Sequence, residues 1–207
     1  MISLPVGRNR WIRIINRFRG EQGMSVIFRI IIAVMLIVAV SLSAVPAAAQ
    51  DTAMKIKIGE KAPDFKLKDV MTGKTVTLSE FAGKKVVMLE FWATWCDICV
   101  REMPGLVKLN YAWKGKGFEM LSIVLPSGNV EDIRKIVRKQ KVDYAVLLDA
   151  DLSVATKSFG LAGPIPLKVV IDSKGVVRYS HVGDYPPGED ELPFVIEDLL
   201  KEMGKGK

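Results

Sequence analysis

The sequence predicts an α/β fold: a central mixed β-sheet with helices on both faces and an added N-terminal β-hairpin. Three observations point to it. KVVMLEFW (Lys85–Trp92), FEMLSIVL (Phe118–Leu125) and PLKVVID (Pro166–Asp172) are nearly continuous apolar runs, the pattern of strands covered on both faces. Segments of helical periodicity lie between them. The third run meets a short turn, SKG (Ser173–Gly175), after which VVRYSHVG (Val176–Gly183) returns antiparallel. Strands alternating with helices, closed by a hairpin and a helix, specify a mixed sheet.

The 207 residues, 49% hydrophobic and 26% charged, suffice for one domain and an appendage. The net charge of +7 is concentrated at the start, where six arginines oppose only Glu21 before residue 50. The remainder has no marked bias, so a nucleic-acid partner is not expected. An arginine-bearing start, an uncharged run from Ile30 to Ala49, and Pro46 with Ala47-Ala48-Ala49 read as an export leader over residues 1–49. The run is also long enough to stay in the bilayer as an anchor. Met24 is an alternative start, in which case residues 1–23 are not translated. Either reading puts the domain outside the cytoplasm, and no cysteine precedes Cys96 to carry a lipid.

Residues 50–61 are polar and read as a flexible lead-in to a domain over residues 62–207. DFKLKDV (Asp64–Val70) and TVTL (Thr75–Leu78) alternate around the turn MTGK, which predicts a hairpin. Ser79 and Glu80 open a helical turn that ends by Gly83. From Asp97 to about Lys114 the apolar residues fall at helical spacing, with a bend predicted at Pro104. Helix Asn129–Lys141 begins at a capping asparagine. Strand Tyr144–Asp149 and a short helix over Leu152–Phe159 follow. After a loop at Pro186, Pro187 and Gly188, an amphipathic helix over Glu189–Met203 ends the domain, its acidic start suited to the helix dipole.

The only two cysteines, Cys96 and Cys99, stand in FWATWCDIC directly behind the first buried strand. As a staple they would close nearly the shortest possible loop and add little stability. As chemistry they fit. Cys96 at a helix start would have its thiolate stabilised by unpaired N–H groups and the dipole. Thiols in such Cys-x-x-Cys sites ionise near or below neutrality. Cys99, one turn on, could then resolve a mixed disulfide formed by Cys96. Zinc would want four protein ligands. Copper remains an alternative, because two sulfurs and the single imidazole of His181 would suit it.

Two carboxylates stand out. Glu90 is the one acidic residue of an otherwise apolar strand: a buried proton acceptor for Cys99, or a side chain at an open sheet edge. Glu102, three residues after Cys99, lies near the sulfurs or on a solvated face with Arg101. Trp95 reads as apolar surface beside the nucleophile and Trp92 as core. The bond before Pro166 is a candidate cis peptide.

FWATWCDIC, an acid six places before the first cysteine, and Ile165-Pro166 leading into LKVVID together resemble the thioredoxin fold. More narrowly, the chain is similar to extracytoplasmic thioredoxin-like reductases of the TlpA/ResA type. The resemblance runs from APDFKLKDVMTGKTVTLSEFAGK through WCxxCxxExP to IPLKVVIDSKG and covers nearly all of residues 62–207. It implies that Cys96 attacks, Cys99 resolves, and Pro166 is the cis-proline facing them. It places Glu102 as the acid of the post-motif helix and Glu90 at the position of thioredoxin's buried acid. Trp95, Ile165 and Pro166 are the expected substrate contacts. The implied cofactor is none beyond a redox-active Cys96–Cys99 disulfide. The implied partners are exported proteins with cysteines or disulfides, such as apocytochrome c, and a membrane electron donor, with the protein a monomer. Two departures are Ile98 and Asp97 between the cysteines, where proline usually precedes the second, and an extra residue near Gly163-Pro164. CDIC also resembles a copper-chaperone motif with one residue deleted.

Overall fold

The structure, a computed structural model, describes residues 55–185 and 190–205. The expected leader, the first part of the lead-in and the loop Pro186–Gly188 lie outside the described residues. Seven strands form one sheet: β1 (Lys66–Asp69), β2 (Thr75–Thr77), β3 (Val86–Trp92), β4 (Phe118–Val124), β5 (Ala145–Leu148), β6 (Leu167–Ile171) and β7 (Val177–Val182). Their order is β2-β1-β5-β4-β3-β6-β7. β3 runs parallel to β4, β4 parallel to β5, and every other neighbour is antiparallel. β3, the strand that leads to the cysteines, is therefore central, with neighbours on both sides.

Strand alternation divides β3 between two cores. Val87, Leu89 and Phe91 face one side with Leu121, Ile123, Phe65 and Phe159. That side is closed by a 3-10 turn, Leu78–Phe81, and a wide π-type turn, Ser153–Ser158. Val86, Met88 and Trp92 face the other, beneath helices α1 (Asp97–Trp113), α2 (Val130–Lys139) and α3 (Leu192–Lys205). Cys99, Met103 and Leu106 of α1, Ile133 and Val137 of α2, and Leu192, Ile196 and Leu199 of α3 form the covering stripes.

Local chemistry explains most boundaries. Asn129 caps α2 by accepting from Asp132 N at 3.0 Å. The β1–β2 turn is built by Asp69, whose Oδ1 accepts from Met71 N, Thr72 N and Thr72 Oγ1. Its Oδ2 accepts from Val146 N at 3.0 Å and so binds the turn to β5. Helix α1 continues through Pro104, whose ring forgoes only the bond to the Val100 carbonyl. The short helix expected over Leu152–Phe159 is instead the π-type turn. Leu152 at φ 57° starts it, and the buried Asp149 carboxylate draws in Val154 N and Ala155 N.

Residues 55–61 depart from the expected flexible lead-in. Lys55 N donates to Phe159 O, Gly59 N to Val177 O, and Val177 N to Glu60 O, while Lys61 bridges Val176. Hydrophobic burial adds to this, because Ile56 packs on the core. The domain thus includes a strap that composition alone reads as polar linker.

Candidate active site

β3 ends at Trp92, and the chain turns through Ala93–Trp95 into α1. The turn is pinned to the loop after β4: Thr94 Oγ1 donates to Ser127 O at 2.6 Å and Thr94 N to Ser127 Oγ at 3.0 Å. Cys96 is the N-cap of α1, and its Sγ accepts from Cys99 N at 3.3 Å. The two cysteines form a disulfide. Cys96 keeps 8% of its surface exposed and Cys99 none, so an approaching group reaches only the first sulfur.

The rim of this site comes from distant chain. The Ile165–Pro166 peptide is cis, and the Ile165 carbonyl oxygen lies 3.8 Å from Cys96 Sγ. Pro166 is buried and Ile165 half-buried. Trp95 stands 67% exposed and Ile98 is exposed as well, a large apolar surface beside the one reachable sulfur. Trp92, by contrast, is fully buried and packs with Cys99 and Met103.

Beneath α1 a polar row crosses the sheet. Ser122 on β4, Glu90 on β3, Lys168 on β6 and His181 on β7 are successive register partners. Glu90 is fully buried, between Met88 and Trp92 on the helix-covered face, which excludes the open-edge reading. Ser122 Oγ donates to Glu90 Oε2 at 3.1 Å. Glu102 is largely covered, which excludes the solvated face, and pairs with Lys168 Nζ at 2.7 Å. Lys168, only 1% exposed, also donates to Gly183 O at 2.8 Å and lies under the Tyr185 ring, 5.1 Å from its centre.

The two buried carboxyl groups are close enough for the charge state of each to act on the other, and Oε1 of both has no hydrogen-bond partner among the described residues. Burial, reinforced by the charge of Glu102, pushes Glu90 up to about 8, against the pull of Lys168 and Ser122. Burial also raises Glu102, but the Lys168 ammonium in direct contact pulls it back, so Glu102 is the first to ionise. In this disulfide form Glu90 holds the proton at neutral pH. The buried Tyr144 hydroxyl, which has no partner among the described residues, is kept protonated by burial and by the same two acids.

His181 does not join the cysteines. Its ring stacks on Tyr185 with centroids 4.0 Å apart, and Nε2 lies 3.3 Å from Asp184 O. Among the described residues no three His, Cys, Asp or Glu side chains gather to hold a metal. The Cys96–Cys99–His181 copper set is thereby corrected: the β6–β7 register puts His181 opposite Lys168, away from the disulfide. The reading from sequence also passed over Lys168, Tyr144 and Ser127. Lys168 did leave a signal, a lone charge in an apolar run, as Glu90 is in its own.

Comparison with known proteins agrees with this geometry. The Redoxin family profile matches residues 57–195. The thiol-disulfide oxidoreductase ResA of Bacillus thuringiensis subsp. konkukian is 31% identical over 149 residues, 72% of this chain and 80% of that protein. ResA of Oceanobacillus iheyensis is 34% identical over 155 residues, 73% and 78% of the two chains. Among solved structures, a candidate DsbE thiol:disulfide interchange protein from Chlorobium tepidum superposes with a TM-score of 0.63 at 31% identity, covering 70% of this chain and 99% of that one. A thiol:disulfide interchange protein from a Bacteroides species gives 0.60 at 25% identity, covering 70% and 91%. The chain belongs to the redoxin family and is a thioredoxin-fold thiol–disulfide oxidoreductase of the TlpA/ResA kind.

Proposed function

We propose that the protein is exported and reduces disulfides of extracytoplasmic proteins, apocytochrome c among them, with Cys96 and Cys99 as its only redox group. The observation that carries this reading is the asymmetry of the pair: one sulfur at a helix N-terminus and reachable, the other fully buried. The basic start, apolar run and small-residue stretch before Gln50 support export, by a cleaved leader or a retained anchor. Such a monomer would draw its electrons from a dithiol donor in the membrane.

In the reaction, the Cys96 thiolate attacks one sulfur of the client disulfide. The client S–S bond breaks, and its released sulfur takes a proton from solvent. Cys99 gives its proton to the Glu90 carboxylate and attacks the Cys96 sulfur. The Cys96–Cys99 bond forms, the bond to the client breaks, and the second client thiolate takes another proton from solvent. Two electrons pass to the client, and the protein is left as a disulfide with Glu90 protonated. Trp95, Ile165 and Pro166 flank Cys96 and receive the client chain.

Cys99→Ser removes the resolving thiol, so the mixed disulfide through Cys96 should accumulate with a disulfide-bearing client. Non-reducing electrophoresis with mass mapping checks it. A protein that reacts with dithiothreitol yet traps no client would end this reading.

A further inference from the structure

Of the polar row only Glu90 takes part in the exchange just described, and Lys168 has no part in it. A lysine almost wholly out of water needs compensation, and it has three partners: Glu102, the Gly183 carbonyl and the Tyr185 ring. One ammonium set against two carboxyls leaves the cluster neutral only when one carboxyl is protonated. A second buried negative charge would be uncompensated, and a second proton would leave the ammonium unpaired. The contacts decide which acid is which, because Nζ touches Glu102 while Glu90 is bonded by the Ser122 hydroxyl.

We propose that Lys168 is the positioning residue of the carboxyl pair: its ammonium holds Glu102 as the carboxylate, so that Glu90 alone carries the proton exchanged with Cys99. This rests on the reading of Glu90 given above and adds to it the group that assigns the proton. Other groups close to the pair are Arg101 on α1, Tyr144 before β5, Asp184 and Tyr185 after β7, and Asp190 before α3. A cleft of about 290 Å³, lined by Arg101, Glu102, Lys168, Asp184, Tyr185 and Asp190, opens on the Glu102–Lys168 end. Glu102 and Lys168 thus form the solvent-side boundary of the cluster, and Glu90 its interior.

The test uses the isolated disulfide form, without a client. The infrared carbonyl band of a protonated buried carboxyl is followed against pH and assigned by its loss in Glu90→Gln. Lys168→Met should leave both acids protonated at neutral pH, with a stronger band that disappears about one pH unit or more higher than in wild type. Glu102→Gln should move the loss about one unit or more lower, because the ammonium then acts on Glu90 alone. Lys168→Arg should stay near wild type.

Opposite shifts in the two variants support the proposal. Unchanged midpoints, or shifts of the same sign, overturn it. If Lys168→Met does not fold, Glu102→Gln decides: a downward shift supports the proposal and an unmoved one overturns it. The outcome is separate from client trapping. Failure of the Cys99→Ser trap would leave these midpoints in place, and unmoved midpoints would leave the trap in place.

Discussion

Glu90 ties the chemistry of the site to the stability of the protein. Its proton is held in the folded disulfide form up to about pH 8, whereas an exposed glutamate loses it near 4.5. Between those values the folded chain binds more protons than the unfolded one, so this group's contribution is full below the lower value and is lost as pH rises through the upper. Stability should therefore fall between about pH 5 and 8, by up to about 1.4 kcal/mol per pH unit from this group. Urea unfolding at both ends of that window measures the slope, and Glu90→Gln should flatten it. Kinetically, the same variant should release a mixed disulfide more slowly while the first attack by Cys96 proceeds at its usual rate, which stopped-flow measurement with a disulfide peptide would separate. A Glu90→Gln protein with unaltered release would remove the acid from the mechanism. Glu90 was legible in the sequence because a lone acid in an apolar strand is conspicuous. Lys168 left a similar local signal, but its meaning depends on the β3–β6 register and on a helix contact 66 residues away.

At the scale of elements, the hydrogen bonds of single carboxylates set where segments begin and turn. Asp69 joins the β1–β2 turn to β5 by accepting from Met71, Thr72 and Val146. Asp69→Ala leaves those donors without their partner and should cost about 2 kcal/mol, read as a lower urea midpoint. Asn129→Ala removes only the α2 cap and should cost about 1 kcal/mol. The strands, the capped helix and the turn-flanked hairpins were readable because periodicity and turn residues are local signals. The π-type turn at Ser153–Ser158 was not, since Asp149 shapes it through a network that helical spacing does not reveal.

For the whole molecule, the main departure from the sequence reading is the strap of residues 55–61, whose polar composition hides its backbone bonds to β7 and to Phe159. A chain begun at Ala62 should melt below one begun at Gln50, by about 2–4 °C for each kcal/mol those bonds contribute. Thermal unfolding of the two disulfide forms compares them directly. The order of strands was also beyond local reading, because β5 enters beside β4 and β1 only through long-range pairing.

The alignment of Glu90 with Lys168 across β3 and β6 has a further consequence, for assembly of the sheet. Slipping β6 by two residues would keep every side chain on its own face, yet seat the ammonium against Met88 or Trp92. A misthreaded intermediate would then carry an orphan cation in its interior, at a penalty of about 3–5 kcal/mol. Selection of the correct strand alignment is thus built into the single polar residues, Glu90 and Lys168, that two hydrophobic segments carry.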